Sequence, residues 1–143
     1  MDAPHPYRKG LHVVVDATGL DASPLRDMEG FRIRIGERIE ALGLVSVGAV
    51  HHAFPGGGFT AVVCLTESHL SIHTWPEHGR ATFDVFLSNF SRENNAAVED
   101  LVATITAFLG RGRYERTTLL CSIAYGLKEE PFNPRKTFCR RVR

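Results

Sequence analysis

The chain has 143 residues, 43% hydrophobic and 23% charged, with a formal net charge of +1. That describes one domain with a single core and gives a nucleic-acid partner no electrostatic support. No stretch approaches the roughly 18 apolar residues of a membrane span, and Met1-Asp2-Ala3-Pro4-His5-Pro6 lacks the basic and apolar regions of a signal peptide, so a cytoplasmic protein without a membrane partner is expected.

Residues 11–17 are short and β-branched and read as a strand. A helix start follows at 21–24, with Ser23 as candidate N-cap and Pro24 in the first turn. Leu25, Met28, Ile35, Ile39 and Leu42 then recur at helical spacing as one buried stripe, weakened by Gly30 and Gly36 and closed by Gly43. A second strand is expected over 45–50, a Pro/Gly loop over 54–58, and strands over 59–66, 68–74 and 81–87. Ser91 or Asn94 is placed to cap a second helix with the stripe Val98, Leu101, Ile105 and Phe108, ended by Gly110. A last strand is expected over 117–125, and the basic stretch 135–143 reads as a solvated tail. Strands outnumber helices and several follow one another directly. The expected fold is therefore α+β, a two-layer α/β sandwich with a largely antiparallel sheet and helices on one face. Cys64, Cys121 and Cys139 are odd in number and widely spaced, which suits reduced thiols.

The densest polar run is Glu67-Ser68-His69-Leu70-Ser71-Ile72-His73-Thr74-Trp75-Pro76-Glu77. As a strand it sends His69, Ser71 and His73 to one face. On composition alone a polar edge strand is an adequate reading. A metal site on His69 and His73, with His51 and His52 upstream, lacks a pattern for a third ligand, so no metal is expected. A serine hydrolase would need glycines around Ser68 that are not there.

This run, followed by Asp84-Val85-Phe86, closely resembles the signature of the short bacterial and archaeal S-adenosylmethionine decarboxylases. The resemblance spans about residues 10–127, and what it implies is a proenzyme. Ser68 would attack the carbonyl of Glu67; an N-to-O acyl shift, elimination and hydrolysis would leave chains 1–67 and 68–143, the second beginning with a pyruvoyl group. His73 matches the histidine that assists processing, and Thr60 a processing hydroxyl that is usually serine and would donate to the oxyanion. Phe54 and Trp75 match the aromatic pair that sandwiches adenine, and Glu77 a carboxylate that contacts substrate. The pyruvoyl carbonyl would act as the electron sink for decarboxylation. A homodimer with sites near the subunit interface is also implied.

One position departs from the pattern. The family usually carries a cysteine shortly after Asp-Val-Phe that returns a proton to substrate; here Ser88 stands there, a much weaker acid than a thiol of pKa about 8.5. Cys64 or Cys121 would replace it only if the fold brought one close. The departure leaves two alternatives beside S-adenosylmethionine decarboxylation for polyamine synthesis. One is a decarboxylase of the same family acting on arginine or ornithine; the other is a non-catalytic homologue that regulates a partner.

Overall fold

A computed structural model describes residues 8–121 and 139–142. Its elements run β1 (Arg8–Thr18), α1 (Ala22–Arg26), α2 (Met28–Ala41), β2 (Ser46–Ala53), β3 (Phe59–Leu65), β4 (Ser68–Trp75), a 3-10 turn (Pro76–His78), β5 (Arg80–Asn89), α3 (Asn95–Leu109), β6 (Arg113–Cys121) and β7 (Cys139–Val142). The seven strands form one sheet in the order β2-β3-β4-β5-β1-β6-β7, and every neighbouring pair is antiparallel. The expected α+β two-layer sandwich is the observed one.

Strand periodicity builds the core. Val13, Val15 and Ala17 of β1, Leu70, Ile72 and Thr74 of β4, and Phe83, Val85 and Leu87 of β5 all turn inward and are buried. The helices cover that face with Leu25, Phe31, Ile35, Val98, Leu101 and Ile105. Thr74 links the layers: its hydroxyl accepts from the Phe59 amide at 2.8 Å and donates to the Leu25 carbonyl at 2.8 Å. Among the described residues no helix covers the opposite sheet face, and Val14, Val50, Val62 and Trp75 stand exposed on it.

The single helix expected over the first stripe is two, α1 and α2, which meet at Asp27. Asp27, not Ser23, makes the side-chain cap of α2, accepting from the Gly30 amide at 2.8 Å. A Cβ at Gly30 would run into the Asp27 carboxylate and push this cap away, so glycine lets the bond form. The last long strand starts earlier than expected, at Arg113, and residues 122–125 lie outside the described residues. Part of the supposed solvated tail is β7, which pairs with β6 in the register Thr118↔Val142 to Cys121↔Cys139. The reading of three reduced thiols also fails: Cys121 is disulfide-bonded, while Cys64 is free and exposed.

Candidate active site

β3 and β4 join through Thr66 and Glu67 alone, with Leu65 and Ser68 paired across the turn. Ser68 has φ 126°, the only positive φ outside glycine among the described residues. An L-residue there is strained on the order of 1–3 kcal/mol. The carbonyl that precedes this strained residue is held from one side. The Glu67 oxygen accepts from the Ser88 amide at 2.9 Å and from the Ser88 hydroxyl at 3.3 Å. Ser88 is placed for this because β5 pairs with β4 in the register Ser68↔Leu87. Two donors on one carbonyl form an oxyanion-stabilising arrangement.

The Glu67 side chain is fixed as well. One carboxylate oxygen accepts from Asn94 Nδ2 at 2.6 Å and the other from the Ser91 hydroxyl. By sequence alone Ser91 and Asn94 are candidate helix caps. The available signal was an excess: Asn89, Ser91, Asn94 and Asn95 place four cap-type residues within seven positions, more than one helix start uses.

A second cluster lies at the other end of the same strands. Thr60 Oγ1 and His73 Nδ1 are 2.5 Å apart, as the register Thr60↔His73 requires. Beside them Phe54, Trp75 and Glu77 line a cleft of about 240 Å³ that also includes His73 and Gly58. Gly58 is needed where the loop crosses β4, since a Cβ would sit 2.5 Å from the Thr74 carbonyl oxygen. Phe54 is 47% exposed and Trp75 38%, so neither aromatic belongs to the core.

The residues expected to form one site are therefore two groups. Ser68, Glu67 and Ser88 stand together; Thr60, His73, Phe54, Trp75 and Glu77 stand together. Ser68 and His73 are five residues apart on one extended strand, about 17 Å at 3.3 Å per residue. Within one chain, Thr60 and His73 do not reach the Glu67–Ser68 bond, and the donors to the Glu67 carbonyl are both from Ser88.

Between the two groups, on the open face, His12 Nε2 and His69 Nε2 lie 2.7 and 3.0 Å from Asp84 Oδ2, and the Ser71 hydroxyl donates to Oδ1. Burial alone would raise the Asp84 carboxyl, but the hydrogen bonds from His12, Ser71 and His69 outweigh it and hold it at about 2. Phe86 packs against both imidazoles, with ring centroids 5.2 and 6.1 Å away. The ligating atoms of His12, His69 and Asp84 lie within 4.8 Å of one another, close enough to share a metal ion. Sequence spacing groups His69 with His73, and with His51 and His52 upstream, whereas the structure groups it with His12 and Asp84.

Residues 11–119 match the family model of S-adenosylmethionine decarboxylase. The chain belongs to this family. Among its relatives is the S-adenosylmethionine decarboxylase proenzyme of Aquifex aeolicus (strain VF5), 42% identical over 54% of this chain and 57% of the relative. The proenzyme of Sulfurihydrogenibium sp. (strain YO3AOP1) is 33% identical over 67% of this chain and 72% of its own length. That of Methanococcus vannielii is 33% identical over 74% and 84%. The crystal structure of the adenosylmethionine decarboxylase from Aquifex aeolicus VF5 superposes with a TM-score of 0.67 at 30% identity, covering 88% of this chain and 98% of that one. Among the described residues no helix is long and apolar enough to cross a membrane.

Proposed function

We propose that the chain cuts itself between Glu67 and Ser68, carries the resulting pyruvoyl group at residue 68, and decarboxylates S-adenosylmethionine for polyamine synthesis. The observation that carries this reading is the strained Ser68 at φ 126° beside a Glu67 carbonyl held by two Ser88 donors. Ser68 Oγ adds to the Glu67 carbonyl carbon. The charge that develops on its oxygen falls where the Ser88 N–H and O–H already point. Collapse breaks the amide bond and leaves an ester, and the strain at Ser68 is relieved in the same step. Elimination frees the Glu67 carboxylate, and water replaces the nitrogen of residue 68 as ammonia. The pyruvoyl group so formed supplies a carbonyl that takes the substrate amine and accepts the electron pair left when carbon dioxide departs. The residues around Ser68 suit its formation, since the scissile carbonyl is fixed and polarised by Ser88.

The cleft at Phe54 and Trp75 suits the nucleoside end of the substrate. Two exposed aromatic faces stack on a base and attract the sulfonium charge, and Glu77 is placed to accept from ribose hydroxyls. A single chain separates that cleft from Ser68, so a homodimer is part of the proposal. The open sheet face, with Val14, Val50, Val62 and Trp75 exposed, is the surface a second copy would cover. A two-fold axis across the middle of β4 exchanges the ends of that strand. Ser68 and Ser88 of one copy then meet Thr60, His73, Phe54 and Trp75 of the other.

Carbon dioxide release by the purified protein, measured separately with S-adenosylmethionine, arginine and ornithine, tests the reading. Release from S-adenosylmethionine alone supports it. Release from arginine or ornithine alone moves the chain to a retuned member of the family, and release from none of them, by cleaved protein, makes it a non-catalytic homologue.

A further inference from the structure

Asn94 occupies the N-cap position of α3 and does not cap it. The amide of the next residue, Asn95, is instead satisfied by the Glu93 carboxylate at 2.7 Å. The carboxamide of Asn94 turns back toward the β3–β4 hairpin, where both its N–H bonds are used. One goes to Glu67 Oε2 at 2.6 Å and the other to the Ser88 carbonyl at 2.7 Å. Its oxygen accepts from Arg92 Nε at 2.9 Å, and its backbone amide donates to Asn89 Oδ1 at 2.7 Å. Asn89 in turn donates to the Lys9 carbonyl at 2.8 Å and to Asn95 Oδ1 at 3.1 Å. Asn94 is 1% exposed and Asn89 6%; with Thr74 they are the buried polar residues of the described chain. A buried amide that gives up the capping bond open to it, and satisfies every group elsewhere, is held for another purpose.

We propose that Asn94 is a positioning residue for self-cleavage, clamping Glu67 to Ser88, with Ser91 completing the clamp. The proposal rests on the reading that the chain cuts itself at Ser68. One carboxamide spans the two residues whose relative position matters: Glu67, which owns the scissile carbonyl, and Ser88, which polarises it. With Ser91 on the other oxygen, Glu67 is fixed at both carboxylate oxygens and at its backbone oxygen. The strained φ at Ser68 then persists because the residue before it cannot move to relieve it. The clamp has an electrostatic role too. The Glu67 carboxylate is the negative charge closest in the chain to the forming oxyanion, and the Asn94 and Ser91 donors draw its charge away from that oxygen.

The test is the cleavage time course of the full-length chain made by cell-free synthesis, for the native sequence and the variants Ser68→Ala, Asn94→Ala, Asn94→Asp and Ser91→Ala. Misplacing a reacting group by about an ångström costs on the order of 100-fold. Asn94→Ala should therefore cut about 10- to 100-fold more slowly, and Ser91→Ala, at an exposed position, several-fold more slowly. Asn94→Asp sets a second carboxylate against Glu67. It should lag the native chain most near pH 8 and recover as the pH is lowered, since two adjacent carboxylates repel when both are charged; Arg92, which bonds the Asn94 side-chain oxygen, offsets part of that repulsion. A folding defect would also recover in acid, so circular dichroism of each variant at each pH accompanies the time course, and only a cleavage deficit in folded chain counts for the clamp. Native cleavage with an unchanged rate in Asn94→Ala, or with an Asn94→Asp deficit that is the same at every pH, overturns the clamp. A native chain that stays whole, or a Ser68→Ala chain that is cut, instead overturns the self-cleavage reading and the clamp with it.

Discussion

Ser68 and His73 share strand β4 and stand five residues apart, near opposite ends of a rigid ladder that pairs them with Leu65 and Thr60. No rotamer brings them together. Two copies with complementary defects therefore test the two-chain site. Alone, Ser68→Ala lacks the proposed nucleophile and His73→Ala the histidine proposed for proton transfer. Co-expressed, the His73→Ala chain receives His73 from the Ser68→Ala copy and should be cut in mixed dimers. Gel analysis with one copy tagged reads this directly; a His73→Ala chain that stays whole in isolated mixed dimers counts against a shared site.

Trp75 lies in the aromatic cleft and is 38% exposed. Trp75→Ala should weaken S-adenosylmethionine binding by about 1–3 kcal/mol, the range for one aromatic stacked on one base. Self-cleavage should proceed, because the indole offers no acid, base or nucleophile to the proton transfers at the Glu67–Ser68 bond. Calorimetric titration and a gel of the same preparation measure both. Unchanged binding with a collapsed fold would make Trp75 a packing residue.

Ser88 has two separable parts. Its amide serves the Glu67 carbonyl whatever the side chain, and its hydroxyl adds a longer bond at 3.3 Å. Ser88→Ala should slow cleavage by about tenfold, below the 100-fold expected of a well-placed donor. Ser88→Cys should raise turnover on S-adenosylmethionine by about 10- to 100-fold, since a thiol is the better general acid. Cys121, being disulfide-bonded, is not available for that task. Steady-state rates of the cleaved proteins decide; an unchanged rate in Ser88→Cys means that another group delivers the proton.

Asp84 makes acid stability measurable. Its carboxyl is lowered from 3.8 to about 2, so the native state holds it ionised where the unfolded chain would protonate it. The resulting stability, on the order of 2 kcal/mol, is present above pH 4 and lost as pH falls toward 2. Asp84→Asn should be less stable by about that amount at neutral pH and should lose the decline between pH 4 and 2. Urea unfolding across that interval measures it, and parallel curves for both proteins would place the acid sensitivity elsewhere.

Much of this was legible in the sequence because it depends on periodicity and local motif. The sandwich followed from alternation in 81–87 and the stripe Val98, Leu101, Ile105. What stayed hidden depends on register and long-range pairing. Nothing local tells that Thr60 faces His73 while Ser68 faces Leu65, and so the site looked like one cluster. Asp27 broke the first helix because its bond to the Gly30 amide outweighs the continuous stripe. Asn94 read as a cap because cap-type residues are named by their neighbours in sequence, whereas its partners are 27 and 6 positions away. β7 escaped notice because its four residues are an edge whose partner, β6, lies far back along the chain.

The intact mass of the purified protein reads cleavage at Ser68 without any substrate. Self-cleavage gives two chains, residues 1–67 and a 68–143 fragment whose first residue has lost its amine and carries a ketone, while Ser68→Ala gives a single uncut chain. A native protein that stays whole under conditions where it is folded, or a Ser68→Ala variant cut at the same bond, would contradict self-cleavage at Ser68.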